Sequence, residues 1–406
     1  MSGFSTRAIR AASRVPPVEQ RPTAVPIYQS VTFDARDAAE LGEILSGSRP
    51  GYAYSRIDNP TTAALAAAVA ELEGAEAGFA FATGMAAIHA ALLSLVSAGD
   101  RIVATQAIYG SSRDLLTQIL GRLGVATVFV DVTDLAAVEA ALAAAPTRVL
   151  YAETISNPTI VVADLAALAD LAHRHGASLV VDNTFASPYL CRPLELGADL
   201  VVHSATKYLG GHSDALAGVV VGGEEGIAAV RHVQVDTGGS ASPLPAFLVL
   251  RGIATLGLRV ARHSATAADL AAWLEARSGV QRVYYPGLAG HPQHAVARRQ
   301  FGAAGAYGGM LAFELEGGRA AGAAFLDALE IPARTASLGS VHTMVVHPPS
   351  TTHRQLDAAA LAEAGIAEGL LRCSVGLEDA DDLRADFDRG LEAARRAVRD
   401  PAAGRA

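Results

Sequence analysis

The chain has 406 residues, of which 51% are hydrophobic and 18% are charged. This composition can form a large core and is unlike that of a disordered chain, and the length predicts more than one domain. The formal net charge of -9 and the scattered arginines exclude a basic nucleic-acid-binding surface.

The N-terminal segment and the cysteines bear on the compartment. Residues 1–21 contain several arginines but no apolar core, so we interpret them as a flexible arm rather than a secretory signal, with a transit peptide as the weaker alternative. No apolar run approaches the roughly 20 residues that span a bilayer. Cys191 and Cys373 predict neither a disulfide framework nor a metal cluster, and the histidines lack metal-ligand spacing. We therefore expect a cytoplasmic protein with reduced thiols, no metal and no membrane contact.

Between residues 62 and 225, short apolar runs alternate with helical stretches such as 62–72 and 85–96. Strands that are apolar throughout, separated by helices, predict a mostly parallel sheet covered on both faces, with ligands at the carboxyl ends of its strands. The predicted strands are 101–105, 126–130, 148–152, 178–182, 199–202 and 218–221.

The pattern changes after about residue 244. A long helical connection over 244–277 precedes a mixture of strands and helices, which predicts a smaller C-terminal α/β domain. We therefore predict an N-terminal arm (1–61) that contacts a neighbouring subunit, a large domain (62–255) and a C-terminal domain (256–406). The remaining predicted elements are strands at 308–314 and 344–346 and helices at 319–329 and 379–397.

Lys207 and Asp182 stand at the carboxyl ends of neighbouring predicted strands. Ser204 and Thr206, whose hydroxyls suit a phosphate, flank Lys207, and a Schiff-base lysine must lie close to the anchor of its cofactor. Asp182 ends the preceding strand, where a carboxylate could keep the pyridine nitrogen of pyridoxal phosphate protonated. The alternatives are a surface lysine and a turn or cap aspartate.

Two further loops suit the same cofactor. Gly84 and Met85 begin a helix after a strand and a tight turn, so their N–H groups could approach an anion. Tyr109 follows another strand, where its ring could stack on a cofactor and its hydroxyl could transfer a proton, although a loop tyrosine packed on the core is the alternative.

Two arginines are candidate anion ligands. Arg56, beside Tyr54, suits a phosphate in its own chain or in a neighbour. Arg372 stands in an apolar, strand-like run, where its burial is costly unless it is paired. A substrate carboxylate is a suitable partner.

In this order, the segments resemble the pyridoxal-phosphate family of cysteine and methionine metabolism. That family includes cystathionine γ-synthase, cystathionine γ-lyase, methionine γ-lyase and the homoserine-ester sulfhydrylases. The resemblance covers about residues 22–398. It rests on Tyr54-Ser-Arg56, Asn59-Pro60-Thr61, Thr83-Gly84-Met85, Tyr109-Gly110, Val181-Asp182-Asn183, His203-Ser204-Ala205-Thr206-Lys207-Tyr208, Ser337-Leu338-Gly339 and the segment from Arg372 to Glu378.

The resemblance implies a fold type I enzyme that works as a homo-oligomer, usually a tetramer built from tight dimers. Its cofactor would be pyridoxal 5'-phosphate on Lys207. Tyr54 and Arg56 would contact the phosphate of the neighbouring subunit's cofactor. The other implied cofactor ligands are Gly84, Met85, Ser204 and Thr206 at the phosphate, Tyr109 on the ring and Asp182 at the pyridine nitrogen.

For catalysis, the resemblance implies that Lys207 moves the Cα proton and Tyr109 protonates the leaving group. Arg372, with Ser337 and Asn157, would bind the carboxylate of a small amino-acid substrate. We expect γ-elimination or γ-replacement on a sulfur amino acid or homoserine derivative, as in the cystathionine enzymes.

Three alternatives stay open: a sulfhydrylase acting on an acyl-homoserine, a methionine γ-lyase-like enzyme, and a non-catalytic binding protein. Ser111 stands where methionine γ-lyases commonly have cysteine. His342 stands near the position where cystathionine-using members usually carry an acid.

Overall fold

The computed structural model describes residues 2–12, 22–301, 305–351, 354, 357, 359, 361 and 365–399. Its first helix, α1 (Phe4–Ala12), buries Ala8 and Ala11 and packs against the chain's own helices α3 (Pro60–Glu73), α10 (Pro243–Ile253) and α11 (Leu256–Glu275). The flexible arm predicted for residues 1–21 is therefore wrong for α1, because its two small apolar residues reach the core. Residues 13–21 lie outside the described part.

The rest of the predicted arm, from residue 22 onward, is largely exposed to solvent. Helix α2 (Ala38–Ser46) has no buried residue. Ile27, Val31 and Leu45 are exposed by 41%, 61% and 55%. Apolar side chains on an ordered but exposed segment are typical of a surface that another protein chain covers.

The large sheet has seven strands in the order β1-β7-β6-β5-β4-β2-β3. Strand β7 is antiparallel to both of its neighbours and every other pair is parallel, which confirms the predicted mostly parallel sheet. The strands are β1 (Ala77–Phe81), β2 (Arg101–Thr105), β3 (Ala126–Val130), β4 (Val149–Glu153), β5 (Ser178–Asp182), β6 (Leu200–Ser204) and β7 (Gly218–Gly222).

Helices cover both faces of this sheet. Val180 and Val202 pack with α4 (Gly84–Leu93) on one face, whereas Val181 and Val201 pack with α3 and α7 (Leu165–Arg174) on the other. This is why the strands are apolar throughout. The other helices of this unit are α5 (Gly110–Asp114), continued by a π-helical stretch (Leu115–Leu120), then α6 (Leu135–Ala144), α7 (Leu165–Arg174), α8 (Ser187–Leu190) and α9 (Glu224–Thr237).

The predicted helical connection over 244–277 consists of two helices, α10 and α11, which meet at a bend of 62°. No single described helix is long and apolar enough to cross a membrane, and this bent pair meets the length and composition criteria only when both helices are taken together.

The predicted smaller α/β domain is present. Its sheet has the order β10-β11-β12-β9-β8. The elements are β8 (Val280–Tyr284), α12 (His294–Gln300), β9 (Met310–Leu315), α13 (Gly318–Ala328), β10 (Ala333–Arg334), β11 (Met344–Val346), β12 (Leu370–Ser374) and α14 (Ala380–Arg399).

Three phenylalanine rings form the centre of the hydrophobic core of the smaller domain. Phe313 of β9 lies 5.3 Å from Phe325 of α13 and 6.1 Å from Phe387 of α14, and the rings of Phe325 and Phe387 are 5.4 Å apart. All three side chains are fully buried. This cluster attaches α13 and α14 to the smaller sheet.

Replacing Phe387 by alanine should lower the free energy of unfolding by about 3–5 kcal/mol, because it leaves a cavity among the three rings. Urea unfolding followed by fluorescence of Trp273, the only tryptophan of the chain, measures the change. Leu258→Ala, at a side chain exposed by 70%, is the control and should be nearly neutral. An equal loss in both variants would contradict the assignment of this core.

Candidate active site

The carboxyl ends of the parallel strands meet at one edge of the large sheet. Strands β1, β2, β4, β5 and β6 all end there, and the loops that follow enclose a cleft with a volume of about 220 Å³. Most of the predicted site residues line this cleft, namely Gly84, Met85, Tyr109, Asn157, Asp182, Ser204, Thr206, Lys207 and Arg372.

Lys207 is the only lysine in the chain. Its Nζ lies 3.0 Å from Oγ of Ser337, which brings this predicted residue to the cleft, and no described carboxylate forms an ion pair with it. Burial, and then the nearby charge of Arg372, lower the pKa of Lys207. The amine is therefore more easily deprotonated than a surface lysine, as a nucleophile requires.

Asp182 is half-buried at the base of the same cleft. Its Oδ1 accepts a hydrogen bond of 2.9 Å from the backbone N–H of Thr184. Burial raises the pKa of Asp182, while the contacts with Thr184 and the charge of His203 act in the opposite direction. No described lysine or arginine pairs with this carboxylate.

The cleft thus contains an amine and a carboxylate that each lack an ionic partner among the described residues. A carboxylate buried without compensation is costly, so a bound group with a basic nitrogen would stabilise it. Pyridoxal phosphate has such a nitrogen, and it also has an aldehyde that can react with the amine of Lys207. The residues present therefore fit this cofactor.

The predicted phosphate ligands lie side by side. A Cβ atom on Gly84 would lie 2.7 Å from Cβ of Ser204, so only glycine allows the start of α4 to approach this loop. Helix α4 begins at Gly84, directed toward the cleft, and an anion is favoured at such an N-terminus. Apart from Lys207 and Arg372, however, no cationic side chain lines the cleft in the described chain.

Tyr54 and Arg56 lie outside the cleft of their own chain. The guanidinium of Arg56 lies 5.6 Å from the centre of the Tyr54 ring and donates a hydrogen bond to the carbonyl of Val235. Their predicted contact with a phosphate is therefore not made within one chain.

Arg372 and its two predicted companions do come together. Arg372 is only 4% exposed; its Nη1 donates to Oδ1 of Asn157 (2.7 Å) and its Nη2 donates to the carbonyl of Ser337 (3.1 Å). Burial lowers its pKa to about 10, and its Nε has no hydrogen-bond partner in the described structure. Such a guanidinium, held by neutral groups, is suited to bind a carboxylate.

The strand ends that carry these groups are joined by a buried polar network on the opposite face of the sheet. Glu73 of α3 accepts hydrogen bonds of 2.7 Å from Asn183 and from Nε2 of His203, and both donors are fully or almost fully buried. Asn183 also accepts one of 2.8 Å from Thr154. This network fixes β4, β5 and β6 relative to one another, and thereby Asp182 relative to Lys207.

Several residues of the cleft were not predicted from the sequence. Glu153 is the clearest case, because it ends β4 beside Asp182, in the register of the two strands. The signal was the same as for Asp182, a carboxylate at the end of an apolar strand. The other unpredicted residues are Thr83, Ile88, Ile155, Thr184, Phe185, Leu216, Ala336 and Leu338.

Two residues that distinguish this chain from its expected family pattern do not line the cleft within one chain, namely Ser111 and the exposed His342. Among the described residues, no group of three or more histidine, cysteine or acidic side chains could hold a metal ion.

In the cofactor-free protein, Arg372→Met should raise the pKa of Lys207, because one of the two causes of its depression is removed. The midpoint of the pH profile for labelling Lys207 with an amine-directed reagent, followed by mass spectrometry, should move upward. Arg282→Met, on an exposed part of β8, is the control. An unchanged midpoint in Arg372→Met would refute the proposed coupling.

Comparisons with known proteins agree with this geometry. The family model for Cys/Met metabolism PLP-dependent enzymes matches residues 5–392. The chain is 46% identical to L-methionine gamma-lyase of Pseudomonas putida, over 97% of this chain and 98% of the relative. It also resembles the crystal structure of cystathionine gamma synthase from Xanthomonas oryzae pv. oryzae in complex with aminoacrylate and cysteine, with a TM-score of 0.91 and 38% identity over 98% of this chain and 99% of that one.

A third relative carries the cofactor. The structure of a putative O-acetylhomoserine (thiol)-lyase from Campylobacter jejuni contains pyridoxyl-lysine monophosphate and matches with a TM-score of 0.91 and 30% identity, over 96% of this chain and all of that one. With the fold, the cleft and the family match in agreement, the chain belongs to the Cys/Met metabolism PLP-dependent enzyme family, and it is a pyridoxal-phosphate enzyme of γ-elimination or γ-replacement.

Proposed function

We propose that this enzyme eliminates an uncharged γ-substituent from an amino acid of the methionine type, in preference to cystathionine. The products from methionine and water would be methanethiol, 2-oxobutyrate and ammonia. The proposal concerns the choice among the reactions of the family.

The residues that line the cleft support this proposal. The side chains facing the substrate region are largely apolar, with Ile155, Phe185, Leu216 and Leu338 among them. The acids that line the cleft in the described chain are Asp182 and Glu153. Asp182 is assigned to the cofactor nitrogen, and Glu153 accepts two backbone N–H groups. Neither acid is left to bind the distal ammonium group of cystathionine, whose burial without a partner is costly.

The cofactor contributes an aldehyde for the amino group of the substrate and a protonated ring that withdraws electrons from Cα. Asp182 maintains the proton on the ring nitrogen by its negative charge. Gly84, Met85, Ser204 and Thr206 hold the phosphate. Tyr109 follows β2 at the mouth of the cleft, where its ring can cover one face of the cofactor ring.

Two side chains of the protein move protons in this scheme. The amine of Lys207 would remove the Cα proton of the substrate. Because a γ-substituent leaves only when Cβ also loses a proton, the same amine would remove that proton in a later step. The hydroxyl of Tyr109 donates a proton to the departing sulfur. Ser337, which lies 3.0 Å from the amine, can hold Lys207 near Cα between these steps.

Arg372 orients the substrate. Its guanidinium, supported by Asn157 and the carbonyl of Ser337, binds the α-carboxylate. A carboxylate and an amino group that are both held would limit rotation at Cα and so would determine which of its bonds is broken.

Ser111 favours a second candidate, the sulfhydrylation of an acyl-homoserine ester. Methionine γ-lyases commonly have cysteine after the Tyr-Gly pair, and this chain has a hydroxyl there. In that reaction sulfide replaces the ester group and gives homocysteine.

A substrate panel with product identification by mass spectrometry tests the proposal. The kcat/KM for methionine should exceed that for cystathionine by at least about tenfold. Lys207→Ala, the control, should lose both the activity and the visible absorbance band of the cofactor. Preferred cleavage of cystathionine would overturn the proposal, and homocysteine made from an acyl-homoserine plus sulfide, as the main activity, would establish the second candidate.

We further propose that the working unit contains a tight dimer, within a homotetramer, in the cytoplasm. The support is the exposure of the apolar side chains of Ile27, Val31 and Leu45, together with the lack, among the described cleft residues, of a cationic side chain for the phosphate apart from Lys207 and Arg372. Arg56, which lies outside its own cleft, would supply that cation to the neighbouring subunit, with Tyr54 beside it. The buried, unpaired thiols of Cys191 and Cys373 are compatible with a reducing compartment.

Mixing the inactive variants Arg56→Ala and Lys207→Ala tests this arrangement. If Arg56 acts across the interface, each mixed dimer has one intact site, so random reassociation should restore about a quarter of wild-type activity. Each variant reassociated alone is the control. A mixture that stays inactive, although mass spectrometry shows mixed dimers, would place Arg56 in its own subunit's site.

A further inference from the structure

We infer that Glu153 is a positioning residue that couples the aromatic cover of the cofactor to the substrate-binding arginine. The inference rests on the proposed function for the roles of Tyr109 and Arg372. It adds a residue that joins the two loops on which they depend.

The contacts of Glu153 are the first argument. Its Oε1 accepts a hydrogen bond of 2.7 Å from the backbone N–H of Tyr109, and its Oε2 accepts one of 3.3 Å from the N–H of Asn157. The side chain of Asn157 in turn accepts the bond of 2.7 Å from Arg372. One carboxyl group on β4 therefore joins the loop after β2 to the guanidinium on β12.

The surroundings of the two loops are the second argument. The side chain of Tyr109 is 44% exposed, so packing alone does not fix its ring. Tyr109 is also the N-terminal residue flanking α5, and its own side chain makes no capping hydrogen bond. The carbonyl of Tyr109 is bonded by Ser112 and Arg113 within α5, whereas its N–H bond to Glu153 connects it to a central strand, on a side chain that is only 6% exposed.

The chemistry of the side chain is the third argument. Two N–H donors converge on one group, so both of its terminal atoms must accept. Glutamine has one accepting oxygen, and its NH2 group would face one of the two donors, leaving a buried N–H unsatisfied. Burial and the neighbouring carboxylate of Asp182 raise the pKa of Glu153 well above its usual range.

The test compares Glu153→Gln, Asn157→Ala and the double variant as holoenzymes. Glu153→Gln should raise KM for the amino-acid substrate by about tenfold, with a smaller effect on kcat. The double variant should be little worse in KM than Glu153→Gln, because both changes interrupt the same connection. In the absence of substrate, Glu153→Gln should also change the circular dichroism of the cofactor band, which reports the placement of the ring against Tyr109.

Asp386→Asn is the matched control. Asp386 is 1% exposed and likewise accepts two backbone N–H groups, those of Glu330 (3.1 Å) and Ile331 (2.9 Å), but it lies in the smaller domain away from the cleft. This variant should lower the thermal midpoint while leaving KM and the dichroism of the cofactor band unchanged.

The inference is overturned if Glu153→Gln loses only thermal stability, as the control does, or if its KM effect adds fully to that of Asn157→Ala. The circular dichroism measurement distinguishes failure of this inference from failure of the proposed function. A wild-type enzyme that does not act on methionine would refute the proposed substrate, whereas an altered cofactor band in Glu153→Gln would still support the link to Tyr109.

Discussion

The structure depends on two opposite charges that share one cleft without meeting. Lys207 has a depressed pKa because it is buried near Arg372, and Asp182 is held at a strand end by backbone contacts. A direct ion pair between them would satisfy both groups and leave nothing to bind a cofactor. Because they are kept apart, a molecule with an aldehyde at one end and a basic nitrogen at the other is stabilised at both.

The large sheet, and not the lining of the cleft, keeps Lys207 and Asp182 apart. The parallel strands bring five loops to one edge, and Glu73, Asn183 and His203 lock three of the strands from the far side. Both donors bond Oε1 of the buried Glu73 carboxyl, whereas its Oε2 has no hydrogen-bond partner among the described residues, so the network connects the strands without fully satisfying this carboxyl. Arg372 on β12 of the smaller sheet then reaches a cleft whose other walls are already fixed.

The sequence allowed most of the large sheet to be predicted, because each strand is apolar on both faces and differs from the helices between them. The features that the sequence did not predict were missed for physical reasons. The bend between α10 and α11 has no proline at residues 254–255, so the apolar pattern gave no sign of it. Glu153 was missed because β4 was ended one residue early, at 152 instead of 153. Tyr54 and Arg56 were recognised by their motif and lie outside the cleft of their own chain, and their implied contact with a neighbouring subunit stays a prediction.

The presence of a single lysine in the whole chain has a practical meaning. Every other basic side chain that might have been lysine is arginine or histidine, which do not form stable imines with aldehydes. Free pyridoxal phosphate, or any reactive carbonyl metabolite, thus meets one ε-amine, which lies in the cleft. The surface offers no competing ε-amine, so spectroscopic signals from imine formation arise without a background from adventitious adducts on other lysines.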